Sequence, residues 1–252
     1  MSAPDPWPAG VARHVLASVD STNAEAARLA PDLNGSAWIL AGEQTAGRGR
    51  RARAWASPLG NFHATYVMKP TESLAQIALR SFAASLALRD ACIAVTGLPK
   101  AFALKWPNDV LLNGGKLAGI LLESAGAGKS TNHLAIGMGV NLIAAPDPSR
   151  VEEGALPPVS LLGETGHRIT PELFLAHLAP AYAKWEARFT TDGFAPLRLE
   201  WLAHAARLGD TIIARTSTAT HIGRFETIDE TGALVLHTSH GRMAIPAADV
   251  FF

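Results

Sequence analysis

One cysteine, Cys92, stands in 252 residues. No disulfide framework or thiolate metal cluster can be built from it, and a reducing, cytoplasmic setting is the expectation. Long apolar runs are missing as well: none approaches the roughly 20 residues that span a bilayer, so no membrane partner is expected. Net charge is absent, because 22 basic side chains cancel 22 acidic ones. Broad capture of nucleic acid, which depends on neutralising several phosphates at once, is therefore disfavoured. The stretch from Met1 to Gly10 has neither the basic nor the apolar region of a secretion signal. Nothing before the first strand pattern could hold a helix-turn-helix, so no DNA-binding domain and no DNA partner are expected.

Several chemical signatures are missing too. No Gly-x-Ser-x-Gly elbow occurs, which leaves hydrolase chemistry without a nucleophile. The nine histidines are scattered, none at metal-ligand spacing on a helix. They read as surface or satisfied core residues, and no protein metal site is expected. Gly128-Lys129-Ser130 imitates the tail of a P-loop, but Glu123 occupies the required upstream glycine position and a strand follows. Gly137-Met138-Gly139 starts like a dinucleotide fingerprint, yet Leu142 stands where its third glycine belongs.

What the chain does have is a basic loop. Glu43 to Trp55 sets Arg48, Arg50, Arg51 and Arg53 among Gly47 and Gly49. Glycine lets a backbone approach a ligand closely, and guanidinium forks bind phosphate or carboxylate at two points. Such a loop suits an anionic small molecule. Ser21-Thr22-Asn23 precedes Glu25 in a capping-box pattern that opens a helix through about Leu29, and a helix N-terminus receives polar ligand groups.

Around these motifs the periodicity predicts strands over Val11 to Val19, Trp38 to Ala41 and Phe62 to Met68, then a helix from Ser73 to Val95 stopped by Gly97 and Pro99. Ala101 to Leu104 ends in Lys105-Trp106-Pro107-Asn108-Asp109, a turn. Val110 to Leu112 and Lys116 to Glu123 form a hairpin about Asn113-Gly114-Gly115, and His133 to Asn141 adds a strand. Ala144 to Pro158 is irregular and a candidate lid. Thr170 caps a helix with an apolar stripe of Leu173, Phe174, Leu178 and Trp185, and a second helix spans about Pro196 to Ala206. Past Leu208 come four short strands that read as a small barrel. The fold class expected is α+β, a mixed and mainly antiparallel sheet layered on helices over residues 1–207, followed by a small β-barrel over 208–252.

The ordered set Ser21-Thr22-Asn23, Gln44, Gly47 to Trp55, Lys105 to Asp109, Lys116-Leu117-Ala118-Gly119-Ile120 and Gly137 to Asn141 resembles the biotin protein ligases. The resemblance implies a catalytic domain of the class II synthetase type with an SH3-like C-terminal barrel. It implies biotin and ATP as substrates, Mg²⁺ accompanying the nucleotide, and a biotin carboxyl carrier protein as acceptor, in a monomer or homodimer. Carried over by position, Ser21, Thr22, Asn23, Gln44, Gly47, Arg48, Gly49, Arg50 and Arg53 would contact biotin or its adenylate. Lys105 would bridge the biotin carboxylate and the α-phosphate, with Arg48 and Arg50 as its catalytic partners. Trp55 would order the adenylate loop and Asn141 would face the nucleotide; Lys116 and Gly119 match motif positions with roles left open. Ala52 departs from the glycine usual in the family's loop, which restricts φ there. Two alternatives stand beside this reading: a lipoate or octanoate ligase of related fold, and a non-catalytic module binding anions or nucleic acid through the arginine loop.

Overall fold

A computed structural model describes residues 3–127, 130–147, 149, 151 and 154–252. Gly128 and Lys129 of the P-loop imitation, and residues 148, 150, 152 and 153 of the lid candidate, lie outside the described residues.

The chain begins with β1 (Ala12–Val19), α1 (Thr22–Leu29) and β2 (Ala37–Gln44), and β1 pairs with β2 in parallel. Then come β3 (Phe62–Met68), α2 (Leu74–Ala78), α3 (Arg80–Thr96), β4 (Phe102–Lys105), β5 (Asp109–Leu112), β6 (Gly115–Ala127) and β7 (Ser130–Val140). These strands form one seven-stranded sheet in the order β1-β2-β3-β7-β6-β5-β4, antiparallel throughout except for the first pair. The expected mixed, mainly antiparallel sheet is what the chain forms.

Alternation along the strands separates two faces. Trp38, Leu40, Phe62, Ala64 and Tyr66 point into the main apolar core, where α3, α5 (Pro171–Asp192) and α6 (Phe194–Ala203) cover them after the short α4 (Leu161–Thr165). Helix α3 is buried on nearly every side, including Ala83, Ala84, Leu86, Leu88, Ala91 and Cys92, as expected of a helix without a polar stripe. Gly97, left-handed at φ 71°, ends it. On the opposite face Ile39, Val67 and Ala135 pack with Ala26 of α1 in a small separate cluster, and the rest of that face carries the site.

Some expectations are refined. The helix anticipated from Ser73 is two helices meeting at Leu79, and the capping box belongs there, between Ser73 and Gln76. At α1 the N-cap is Ser21 with no side-chain cap bond, and Glu25 holds Arg28 instead. Leu173 is 38% exposed, while Phe174, Leu178 and Trp185 are buried. The C-terminal strands number five rather than four: β8 (Thr211–Arg215), β9 (Thr220–Ile228), β10 (Leu234–Thr238), β11 (Gly241–Ile245) and β12 (Asp249–Phe251). They form an antiparallel SH3-like sheet in the order β11-β10-β9-β8-β12. Ile212, Phe225, Leu236 and Val250 of this sheet share one continuous apolar cluster with α3 and α6. Trp106 Nε1 also donates to the Gly232 carbonyl at 3.0 Å, tying the two sheets. No helix among the described residues is long and apolar enough to cross a membrane.

Beneath α3 and α5 lies a buried ionic cluster that pattern reading does not reveal. Arg80 is fully buried and reaches Glu72 at 2.6 Å and Glu186 at 2.8 Å, while the Tyr182 hydroxyl donates to Glu186. Removing the cation would strand the largely buried Glu186 carboxylate and unpair the partly exposed Glu72, so Arg80→Ala is expected to cost about 3 kcal/mol of stability. Urea unfolding followed by circular dichroism measures it.

Candidate functional site

The register of the sheet lays one row of residues across the open face. Lys105 pairs with Asp109, Asp109 with Gly119, Gly119 with Gly139, Gly139 with His63, and His63 with Ala41. Paired residues share a face, so this row runs from a lysine at one edge to a histidine near the middle over a floor of glycine. That floor is filled by side chains from elsewhere. A Cβ on Gly137 would stand 2.4 Å from Asn23 Oδ1, and one on Gly139 would stand 2.6 Å from Trp55 Nε1. Trp55 also lies over Gly119.

At the N-terminus of α1, buried Ser21, Thr22 and Asn23 join a polar network. The Thr22 backbone N–H donates to Gln44 Oε1 at 2.9 Å, and Gln44 Nε2 donates to Ser57 Oγ at 3.0 Å. The Thr65 hydroxyl lies 2.7 Å from Asn23 Oδ1, and Asn23 Nδ2 donates to Glu123 at 2.7 Å. Thr65 and Glu123 enter this network from strands and carried no motif of their own.

The basic loop closes on itself. Trp55 N–H donates to the Gly47 carbonyl and Gly49 N–H to the Arg53 carbonyl. Gly47 is needed for close approach, since a Cβ there would fall within 3.0 Å of Ser57 Oγ, the Trp55 carbonyl and Gln44 Nε2. At the tip Arg51 and Ala52 are both left-handed, φ 55° and 57°, so the alanine that replaces a glycine takes up the conformation glycine would favour.

The arginines meet protein carboxylates. Arg51 and Arg53 reach Asp249 of β12 at 2.5 and 2.8 Å, while Arg50 lies 3.9 Å from that carboxylate and donates to the Ala248 carbonyl. Arg48 lies 3.4 Å from Glu123. Burial lowers the pKa of Arg50, opposed by Asp249. Asp249 lies about 200 residues from the loop in sequence, and no local pattern announces it.

Lys105 is largely buried, its side chain 12% exposed. Its ammonium lies 3.9 Å from Asp109 and 5.7 Å from the Phe252 ring centroid. Desolvation lowers its pKa, with Asp109 opposing. Lys116 approaches Asp109 more closely, at 2.8 Å, though at an angle that leaves an ionic contact rather than a hydrogen bond, and it lies 5.8 Å over the Trp55 ring. Thus Lys105, Lys116, Gly119, Trp55 and the arginine loop converge. Asn141 does not join them: its side chain donates to the Val159 carbonyl at 3.1 Å, which fastens the end of the 144–158 segment.

His63 departs from the expected satisfied or surface histidine. It is 1% exposed, and neither ring nitrogen has a hydrogen-bond partner among the described residues. The Pro58 carbonyl lies near enough to favour the protonated ring weakly, without a formed bond, and burial outweighs it, holding the pKa at about 4.

A cleft of about 260 Å³ lined by Trp38, Tyr66 and Tyr182 opens on the opposite, helix-covered face. It lies away from this row of charged and glycine residues.

Comparison with known proteins agrees with the geometry. The model of the Biotin/lipoate A/B protein ligase family matches residues 15–141, and that of the Biotin protein ligase C terminal domain matches residues 208–252. A biotin--[acetyl-CoA-carboxylase] ligase of Paracoccus denitrificans is 59% identical over 238 residues, 94% of this chain and 99% of that one. The chain belongs to the biotin protein ligase family. A ligase of the same description from Mycobacterium tuberculosis is 30% identical, over 94% of this chain and 87% of its own. The structure of a biotin protein ligase from Aquifex aeolicus in complex with biotin and ATP superposes with a TM-score of 0.80 at 24% identity, covering 95% of this chain and 97% of that one. At that identity it speaks for the fold.

Two outcomes test the site. Asp249→Ala should free the arginine loop, and limited trypsin digestion should then cut between Arg48 and Arg53 several-fold faster than in the wild type. For His63, a folded pKa of about 4 against 6.5 unfolded means its neutral form is favoured in the fold. The associated stability is complete above pH 6.5 and is lost as pH falls toward 4, about 3 kcal/mol in all. The acid-side loss of stability in urea melts should therefore flatten by that amount in His63→Phe.

Proposed function

We propose that this chain is an ATP-dependent ligase that activates biotin as biotinyl-5′-AMP and transfers it to a lysine of a biotin carboxyl carrier protein. The observation that carries the reading is Lys105: a buried ammonium at one end of a glycine-floored trough, beside an arginine loop that folds over the same trough. Family membership and the Paracoccus relative support the same reading.

In the first step a carboxylate oxygen attacks the α-phosphorus, a P–O bond forms, and the bond to pyrophosphate breaks. Two anions must meet, so their repulsion is the obstacle. Lys105 is suited to lower it, because a desolvated cation attracts an arriving anion with little screening by water. Arg48 and Arg50 would take ligand oxygens in place of their present protein partners. In the second step the acceptor amine attacks the acyl carbon, the C–O bond to AMP breaks, and the amine sheds its proton. Between the steps the anhydride must be kept from water, a task for the closed loop and for Trp55 lying beneath it.

Ser21, Thr22, Asn23, Gln44, Gly47, Gly49 and Arg53 are assigned to the biotin and adenylate contacts, with Gly119 as floor. Lys116, 2.8 Å from Asp109, is assigned to sharing that carboxylate's charge with Lys105. Asn141, bonded to Val159, is assigned to fastening the segment that borders the nucleotide side. A Mg²⁺ ion would accompany the nucleotide, held mainly by its phosphate oxygens. Such an ion supplies charge neutralisation. We place the boundary between ligase domain and barrel near Arg207, at 1–207 and 208–252, and the reaction in the reducing cytoplasm.

Incubation with biotin, MgATP and an apo carrier domain should add the mass of one biotin to the carrier. Lys105→Ala should slow pyrophosphate exchange by about 100-fold or more with an unchanged far-ultraviolet spectrum. Exchange at the wild-type rate in that variant would remove Lys105 from the mechanism.

A further inference from the structure

We infer that His63 is a specificity residue, hydrogen-bonding a cyclic-urea group at the end of the substrate far from Lys105. The inference rests on the biotin-ligase reading, biotin being a bicyclic urea with a carboxylate tail.

Four strand spacings separate His63 from Lys105 along the shared row, roughly 19 Å between backbones at about 4.8 Å each. A substrate whose carboxylate lies under the extended lysine side chain thus points its other end toward the histidine. There the imidazole has polar company. Two residues along β3 is Thr65, tied to Thr22 and Asn23, and the row's next strand leads through Ala41 toward Gln44.

Two buried polar groups sit at this end with no hydrogen-bond partner among the described residues: both His63 nitrogens and the Trp55 indole N–H. They are neighbours. Gly139, the register partner of His63, is the residue whose missing Cβ leaves room for Trp55 Nε1. An unpaired buried polar group costs about 1–3 kcal/mol, and a fold that keeps two side by side in a site has left hydrogen-bonding capacity for a ligand. Neutral imidazole offers one donor and one acceptor, as a urea does with its carbonyl and N–H groups. The proposed binding displaces the indole from its glycines, which uncovers the floor and the edge of His63 together.

Calorimetric titration of biotin and of desthiobiotin, which keeps the urea but lacks the sulfur, tests this on the wild type, His63→Phe and His63→Gln. Pyrophosphate exchange is read on the same proteins. The expected result is about tenfold weaker binding of both acids to His63→Phe, one hydrogen bond's worth. His63→Gln should recover part of it, and the exchange KM should rise with kcat unchanged. Undiminished binding in folded His63→Phe would make the side chain mere filling and overturn the inference. Loss for biotin alone, with desthiobiotin unaffected, would move the contact to sulfur and overturn the urea assignment. Wild-type protein that binds neither acid would instead sink the ligase reading, and is told apart because the failure appears without any substitution.

Discussion

The site depends on what β6 and β7 leave out. Gly119, Gly137 and Gly139 fall on one face of an antiparallel pair, Gly119 opposite Gly139 and Gly137 opposite Leu121, so the middle of the sheet has few side chains of its own there. Each glycine weakens a strand by roughly 0.5–1 kcal/mol relative to alanine. What offsets that loss is contact from above, since Asn23 descends onto Gly137 and Trp55 onto Gly139 and Gly119. A slip of one residue in the β6–β7 register would turn the glycines toward the core and put Ile120 and Met138 on the open face. The same packing that buries Ile120 and Met138 therefore fixes the trough.

A second constraint joins the arginine loop to the C-terminal sheet. Left-handed backbone costs a residue with a side chain roughly 1–2 kcal/mol, and the loop holds Arg51 and Ala52 there consecutively. Charge-assisted hydrogen bonds contribute about 1.5–3 kcal/mol each, and Asp249 accepts from Arg51 and Arg53 at once. The terms are of the same size and opposite sign. The loop is thus held closed by a narrow margin that resides in another sheet, and a competing anion on the guanidiniums has little to overcome. The C-terminal sheet belongs to the site through this contact and through Phe252 beside Lys105.

Legibility in the sequence followed range. Alternation in Phe62 to Met68, the Asn113-Gly114 hairpin and the stops at Gly97 and Pro99 are local, and each produced the element expected of it. The motifs in Ser21 to Asn23, Gly47 to Trp55 and Lys105 to Asp109 were legible because loops and turns carry their chemistry in consecutive residues. Asp249 was not, being one carboxylate in a short terminal strand with nothing beside it to mark it. Arg80 looked like an ordinary helix residue until Glu72 and Glu186 were brought to it by packing. His63 was misjudged because burial without a partner is a property of neighbours such as Gly139 and Pro58, which only the sheet supplies. The cue available was a histidine alternating in phase with Thr65 on a strand otherwise apolar on both faces.

Two cations in low-solvent settings, Arg80 and Lys105, show how environment divides structure from chemistry. Burial by itself would depress the pKa of Arg80, yet the hydrogen bonds it donates to Glu186 and Glu72 overcome it and raise the pKa. Two carboxylates grip that cation and its guanidinium lies 5.1 Å over the Phe189 ring, although its Nη1 has no hydrogen-bond partner among the described residues. For Lys105 the balance falls the other way. Burial dominates, Asp109 is too distant at 3.9 Å to restore the pKa, and nearby Lys116 pushes it down further. A cation whose burial is under-compensated gains more from an arriving anion than one already held by two carboxylates. Lys116 sharpens the contrast by lying 2.8 Å from Asp109, so that carboxylate's charge is shared between two ammonium groups rather than given to Lys105 alone.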